Sequence, residues 1–196
     1  NNNIIAVNHN NEWYHIQDNN DGYIPKEMAV DKNNNLWISY LFSEKMNDAS
    51  AYSPGGIRMV EFNDIENESD DIWHINWLDE LQNLNVWSLV ISSDNYGNEI
   101  LWLMTDYGIM GYILDVNYTY SGNIIVDFTK IQDQYYFQGL NYNEGCKLRL
   151  DNNNNIWITT KSNGLRILKN NGDLFDNNIG EVTASNHGIL SNIIYD

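Results

Sequence analysis

Three segments of this 196-residue chain repeat one another, and that repetition limits the fold more than any other feature. Each begins with a short apolar run ending at an aspartate (Asp31, Asp94, Asp151) and continues through a polar turn. A second apolar run then holds one tryptophan (Trp37, Trp102, Trp157), and a glycine (Gly56, Gly108, Gly164) and a third run follow. Apolar and polar residues alternate along these runs, which is the two-residue period of strands rather than the helical period. The aspartate can cap its turn by accepting backbone N–H groups, while Asn34, Gly97 or Asn98, and Asn154 are placed to take positive φ. Asp and Trp stand six, eight and six positions apart, a spread the hairpin loop is expected to absorb.

One meander of three or four strands cannot cover both of its faces, so copies must stack. Units of about 50–65 residues built this way match the blades of a β-propeller. A β-sandwich, the alternative, does not require one motif to recur in the same internal order. The expected fold is therefore all-β, a β-propeller segment of about three complete blades and two partial ones. Residues 1–23 end one blade, 24–80, 81–140 and 141–185 are blades, and 186–196 supply the first strand of the next. A blade shared by the two ends would lack its tryptophan strand, so the segment is expected to be a fragment of a larger ring. The opening Asn1-Asn2-Asn3-Ile4-Ile5 has neither the basic start nor the apolar stretch of a leader. Either a leader was removed or the chain is a piece of something longer.

Composition narrows function by exclusion. Ten basic against 27 acidic residues give a formal charge of -17, which repels nucleic-acid backbones and anionic membrane surfaces. No apolar run approaches the length of a membrane helix, so membrane insertion is not expected. A single cysteine, Cys146, leaves no internal disulfide or cysteine zinc site, and its position before a strand suits a small core residue.

The chain carries no recognisable catalytic signature. His9, His15, His74 and His187 are scattered without metal-ligand spacing, and no Gly-x-Ser-x-Gly elbow or phosphate loop is present. Asp31-x-Asn33-x-Asn35 and Asp151-x-Asn153-x-Asn155 copy the start of a calcium loop. The expected glycine is instead Leu36 or Ile156, and the closing glutamate is Phe42 or Ser162, so a blade turn is the better reading. A weak calcium site could otherwise form among Asp18, Asn20 and Asp21, or in the acidic run Asp64, Glu66, Glu68, Asp70, Asp71, which reads better as a solvated loop. No cofactor is expected. The sequons at Asn67 and Asn117 are read as accidents of an asparagine-rich chain.

Aromatic residues outside the repeat are the candidate ligand contacts. Trp37, Trp102 and Trp157 are blade packing, but Trp73, Trp77 and Trp87 fall elsewhere. Tyr135-Tyr136-Phe137 and Tyr118-Thr119-Tyr120 read as stretches between blades. Flat rings beside amides and carboxylates suit a sugar or a peptide, and Tyr135, Tyr136, Trp73 and Trp77 are the residues singled out for that role.

Asp31 to Ser39, and Asp151 to Thr160 followed by Gly164-Leu165, resemble the two-component-regulator propeller repeat. Leu81 to Val86 and Gly188 to Ile193 resemble that family's lead into a blade. The chain departs from the pattern at Asn34 and Asn154, where the turn glycine is replaced, at Tyr40, which replaces a strand-ending threonine, and by an insertion over 41–55. The run Gly164 to Gly172 before Ser185 to Asn192 looks most like the propeller subunits of the type IX (Por) secretion system. That resemblance implies a non-catalytic, periplasmic or cell-surface platform for protein partners of a secretion complex or for surface glycan. Two alternatives stand beside it: the ligand-sensing half of a hybrid two-component receptor, with partners in a signalling complex, and a polysaccharide or streptogramin-type lyase on a propeller scaffold.

Overall fold

The computed structural model describes residues 4–17, 24–43, 53–61, 64, 66–74, 78–118, 124–169, 179–188 and 191–194. Its strands form one hairpin and three four-stranded antiparallel sheets, each sheet a meander in sequence order. The chain divides into two compact units, Asn1–Val86 and Trp87–Asp196.

In the first unit, β1 (Ile4–His9) and β2 (Glu12–Gln17) pair across a two-residue turn. Asn10 and Asn11 both take positive φ, 52° and 68°, the conformation that matches a hairpin turn to strand twist. A sheet of β3 (Ile24–Val30), β4 (Leu36–Ser43), β5 (Ser53–Glu61) and β6 (Ile72–His74) follows. Leu36, Ile38 and Tyr40 on one face of β4 pack with Ile5 of the hairpin and Val60 of β5. Trp37 lies on the opposite face with no exposure.

The second unit holds two sheets. The first is β7 (Val86–Ser93), β8 (Glu99–Thr105), β9 (Ile109–Tyr118) and β10 (Ile124–Lys130). The second is β11 (Leu148–Leu150), β12 (Ile156–Thr159), β13 (Leu165–Leu168) and β14 (Ile179–Val182). Here the stacking of successive copies is visible. Ile100, Trp102 and Met104 on one face of β8 share a core with Leu148, Ile156 and Ile158 of the next sheet. Every residue of β8 is buried, so Leu101 and Leu103 on the other face are covered as well. Cys146 sits in this same core with no exposure, and burial pushes its thiol pKa up.

Each aspartate turn closes in the same way. Asp31 Oδ1 accepts the N–H groups of Asn33 and Asn35, both at 2.9 Å. Its Oδ2 accepts Asn35 Nδ2 at 2.9 Å and the Trp37 indole N–H at 3.1 Å. Asp151 repeats the arrangement with Asn153, Asn155 and Trp157, the indole at 3.0 Å. Asn34, Gly97 and Asn154 take positive φ of 66°, 83° and 59°, so Gly97 rather than Asn98 is the left-handed residue of the second turn.

The second turn, Asp94 to Asn98, spans the same five residues as the others. The loop therefore does not absorb the two extra positions; they lengthen the strands. Two residues are one strand period, so Trp102 keeps the face of its counterparts but lies beyond the reach of Asp94. Its indole N–H goes instead to Ser92 Oγ at 2.9 Å.

The Asp151 carboxyl is held down to about 2, first by the Asn155 side-chain hydrogen bond and then by the Trp157 indole. For Asp94, desolvation pushes upward, but bonds from Asn98, Tyr96 and Gly97 outweigh it and leave the pKa lowered. A carboxyl whose folded pKa is depressed stabilises fully above its unfolded value, near 3.8, and loses that contribution as pH falls toward the folded value. Asp151→Asn keeps one acceptor oxygen but sets an amide against two donors. Its urea midpoint is expected to lie below that of the wild type at neutral pH, and the two should converge between about pH 4 and about pH 2. Parallel pH curves would contradict this account of the turn.

A second recurring contact was not legible in the repeat. The segment after each sheet docks its backbone against a glycine at or near the start of that sheet's third strand, or against the residue beside it. The Gly56 N–H donates to the Leu84 carbonyl at 3.2 Å, and the Gly164 N–H donates to the Asn192 carbonyl at 2.8 Å. Asn192 thus takes the place that Leu84 takes earlier. The stretch 191–194 carries no strand, and 189–190 and 195–196, on which the expected first strand of 186–196 also falls, lie outside the described residues. The stretch is preceded by a one-turn helix, α1 (Ala184–His187), capped reciprocally by Thr183 and Asn186.

One further expectation needs correction, and the insertion over 41–55 gains a structural description: β4 and β5 extend into it, pairing Phe42 with Pro54 and Ser43 with Ser53. Tyr40, in place of a threonine, is 1% exposed and lies under the Arg58 guanidinium, 5.4 Å from the ring centre. Tyr118 ends β9 and pairs with Ile124 of β10, so it lies within a sheet rather than between sheets.

Candidate binding pocket at Tyr107 and Tyr135

β8 ends at Thr105, whose hydroxyl donates to the Gly108 carbonyl at 3.1 Å and accepts the Tyr107 N–H at 3.2 Å. These bonds tie the turn and leave the side chains of Asp106 and Tyr107 exposed. In the third sheet Thr160 makes the same bond to Gly164 at 2.7 Å, but the loop there holds Lys161, Ser162 and Asn163. The aromatic at Tyr107 is thus a departure from the repeat at a loop position.

The second wall comes from the connection between β10 and β11. Tyr136 and Ile109 exchange both backbone hydrogen bonds, at 3.0 and 2.8 Å, which makes the stretch around Tyr136 an added strand position beside β9. Neighbouring side chains on extended backbone point to opposite faces. Tyr136 turns inward, 4% exposed, and packs against Trp102 with ring centres 5.8 Å apart. Tyr135 turns outward and meets Tyr107, with centres 6.0 Å apart and planes at 58°. Phe137 and Gly139 then reverse the chain at positive φ, and the Tyr142 hydroxyl holds the bend by donating to the Phe137 carbonyl at 3.0 Å.

Between these walls lies a cavity of ≈ 390 Å³, lined by Asp106, Tyr107, Tyr135, Gln138, Leu140 and Asn141, with Gly139 among them. Asp106 is oriented by the Trp87 indole, which donates to its Oδ1 at 2.9 Å. The lining offers two phenol rings, a leucine, a carboxylate and two amides, and no basic side chain. Such a surface can stack against a flat or apolar face and accept hydrogen bonds around it.

No family model matches the chain, and no curated protein matches it. Among solved structures, one is similar over 94% of this chain, at 16% identity and a TM-score of 0.58. It is PorZ of Porphyromonas gingivalis, described as an essential bacterial surface component of the type-IX secretion system. The two share their fold. This chain spans 24% of the length of PorZ. The two-component-regulator resemblance rests on the motif residues alone.

Of the four residues singled out from sequence, the structure brings one to the pocket. Tyr135 lines it, whereas Tyr136 belongs to the core and is corrected from a ligand contact to a packing residue, since alternation allows only one of the pair to face outward. Trp73, on β6, packs against the Ile5–Tyr40 core of the first unit. Trp77 lies outside the described residues, as do Asp18, Asn20 and Asp21. Within the acidic run, Asp64 and Asn67 cap short turns by accepting the N–H groups of Glu66 and Ser69, while Tyr14 donates to Glu12 at 2.9 Å and to Glu66 at 3.4 Å. The Glu12 hydrogen bond is the main reason the Tyr14 phenol is pushed up to about 12. Sequence reading missed Tyr107, Asp106 and the orienting role of Trp87. The signal that could have found the first two is their break from the repeat between Thr105 and Gly108.

Proposed function

We propose that the chain is a segment of a β-propeller that serves as a non-catalytic binding platform at the cell surface, in type IX protein secretion. Its three four-stranded meanders are blades, and β1–β2 are the remainder of another. The observation that carries the reading is the fold shared with PorZ over nearly the whole chain. Loop residues at the sheet ends, not the strands, would contact protein partners or surface glycan.

The pocket favours binding over catalysis. Its lining supplies one carboxylate, with neither a second acid nor a nucleophile–base pair to divide a proton transfer. The platform is also read as needing no metal: the Asp31 and Asp151 oxygens, which would open a calcium loop, face the N–H donors of their own turns.

Deletion of the parent gene in its own host tests the reading. Substrates of type IX export should accumulate inside the cell, and antibody to this segment should label intact cells. Normal export together with loss of a transcriptional response to an added oligosaccharide would overturn it in favour of a sensor.

A further inference from the structure

We infer that the Tyr107–Tyr135 pocket receives a cationic side chain, arginine ahead of lysine, presented by a partner polypeptide. The inference rests on the binding-platform reading and names the ligand chemistry of one site on it.

Four observations point the same way. The two phenol rings, with centres 6.0 Å apart and planes at 58°, both line the cavity, and the π-face of a phenol ring attracts a cation by its quadrupole. Asp106 carries the one formal charge of the lining, and the Trp87 indole fixes its orientation through Oδ1. The side-chain amides of Gln138 and Asn141 add acceptors around the rim. A guanidinium is planar and carries five donors, so it can lie against a ring while its edge meets the carboxylate and the amide oxygens. An ammonium fills less of a ≈ 390 Å³ cavity and stacks less well. The formal charge of -17 raises the local concentration of any basic segment and opposes an anionic ligand.

A neutral sugar is the competing occupant, because tyrosine faces and amides also suit it. What separates the two is the carboxylate. A sugar would tolerate its neutralisation to an isosteric amide, whereas a cation would not.

The full chain is titrated calorimetrically with acetyl-Gly-Arg-Gly-amide, with the same peptide carrying citrulline or lysine, with argininamide, and with maltotriose. The arginine peptide is expected to bind about tenfold more tightly than the citrulline peptide, and Asp106→Asn should remove most of that difference. Tyr107→Ala, at a side chain 58% exposed and so without a folding cost, should weaken arginine binding about fivefold. Tighter binding of the peptide than of argininamide assigns the ligand to a polypeptide. Equal binding of the two supports the cationic pocket and assigns it a free small molecule instead. Equal affinity for arginine and citrulline peptides, affinity unchanged by Asp106→Asn, Tyr107-dependent binding of maltotriose alone, or no binding of the arginine peptide at millimolar concentration would each overturn the inference. If export fails on gene deletion while the chain binds no arginine peptide, the pocket falls and the platform stands. If export is normal while arginine binding survives, the reverse holds.

Discussion

Trp102→Ala is expected to destabilise the chain by about 3–5 kcal/mol, measured by urea denaturation followed through near-UV circular dichroism. The indole has no exposure and lies in the core that joins the two sheets of the second unit. Truncation would strip contacts from Met104 and Ile109 on its own sheet and from the Leu148–Ile158 surface of the next, and would leave Ser92 Oγ without the indole donor. Collapse around the hole is restricted, because Gly111, paired directly with Trp102 across β8 and β9, offers no side chain to fill it. That glycine is itself a consequence of the indole: a β-carbon there would lie 2.7 Å from the Trp102 ring. Trp157→Ala, at the equivalent repeat position but only half-buried, should cost about 1–2 kcal/mol. Equal costs at the two sites would mean that stacking of one sheet on the next is not what buries these rings.

The contrast between those two tryptophans shows what the sequence could and could not disclose. The turn was legible residue by residue, since Asp31 and Asp151 cap through short-range bonds that depend only on neighbours. That the apolar runs are strands followed from the two-residue period. What stayed hidden was long-range. Nothing local distinguishes two residues added to a loop from two added to a strand, so the displacement of Trp102 from Asp94 to Ser92 came only with the register. Tyr135 and Tyr136 looked equivalent because the bridge from Tyr136 to Ile109, which decides their faces, joins residues far apart in sequence. Asp106 and Tyr107 fall between the second and third runs of their copy and were passed over, although their departure from the third copy marked them. The pocket was thus half legible: Tyr135 was singled out for its aromatic content, while its meeting with Tyr107 came only from where the chain returns.

Gly108→Ala should remove the pocket and destabilise the chain by roughly 2–4 kcal/mol. A β-carbon on Gly108 would stand 2.6 Å from the Tyr136 carbonyl oxygen and 2.9 Å from Tyr135 Cβ, with φ at 149°. The carbonyl cannot retreat cheaply, because it accepts the Ile109 N–H at 3.0 Å and that bond sets the inward and outward faces of the two tyrosines. Relief of the clash would therefore push Tyr135 away from Tyr107 and open the cavity, so ligand binding and stability should fall together. Gly139→Ala is the control. It also sits at positive φ, 76°, but nothing lies within 4 Å of its added carbon, and backbone strain alone should cost about 1 kcal/mol. The same close approach recurs at Gly164, whose β-carbon would meet the Val182 carbonyl oxygen at 2.4 Å, so Gly164→Ala should resemble Gly108→Ala in stability while sparing the pocket. Similar losses at Gly108 and Gly139 would show that left-handed backbone, rather than the approach of the next segment, is what requires glycine after each tryptophan strand.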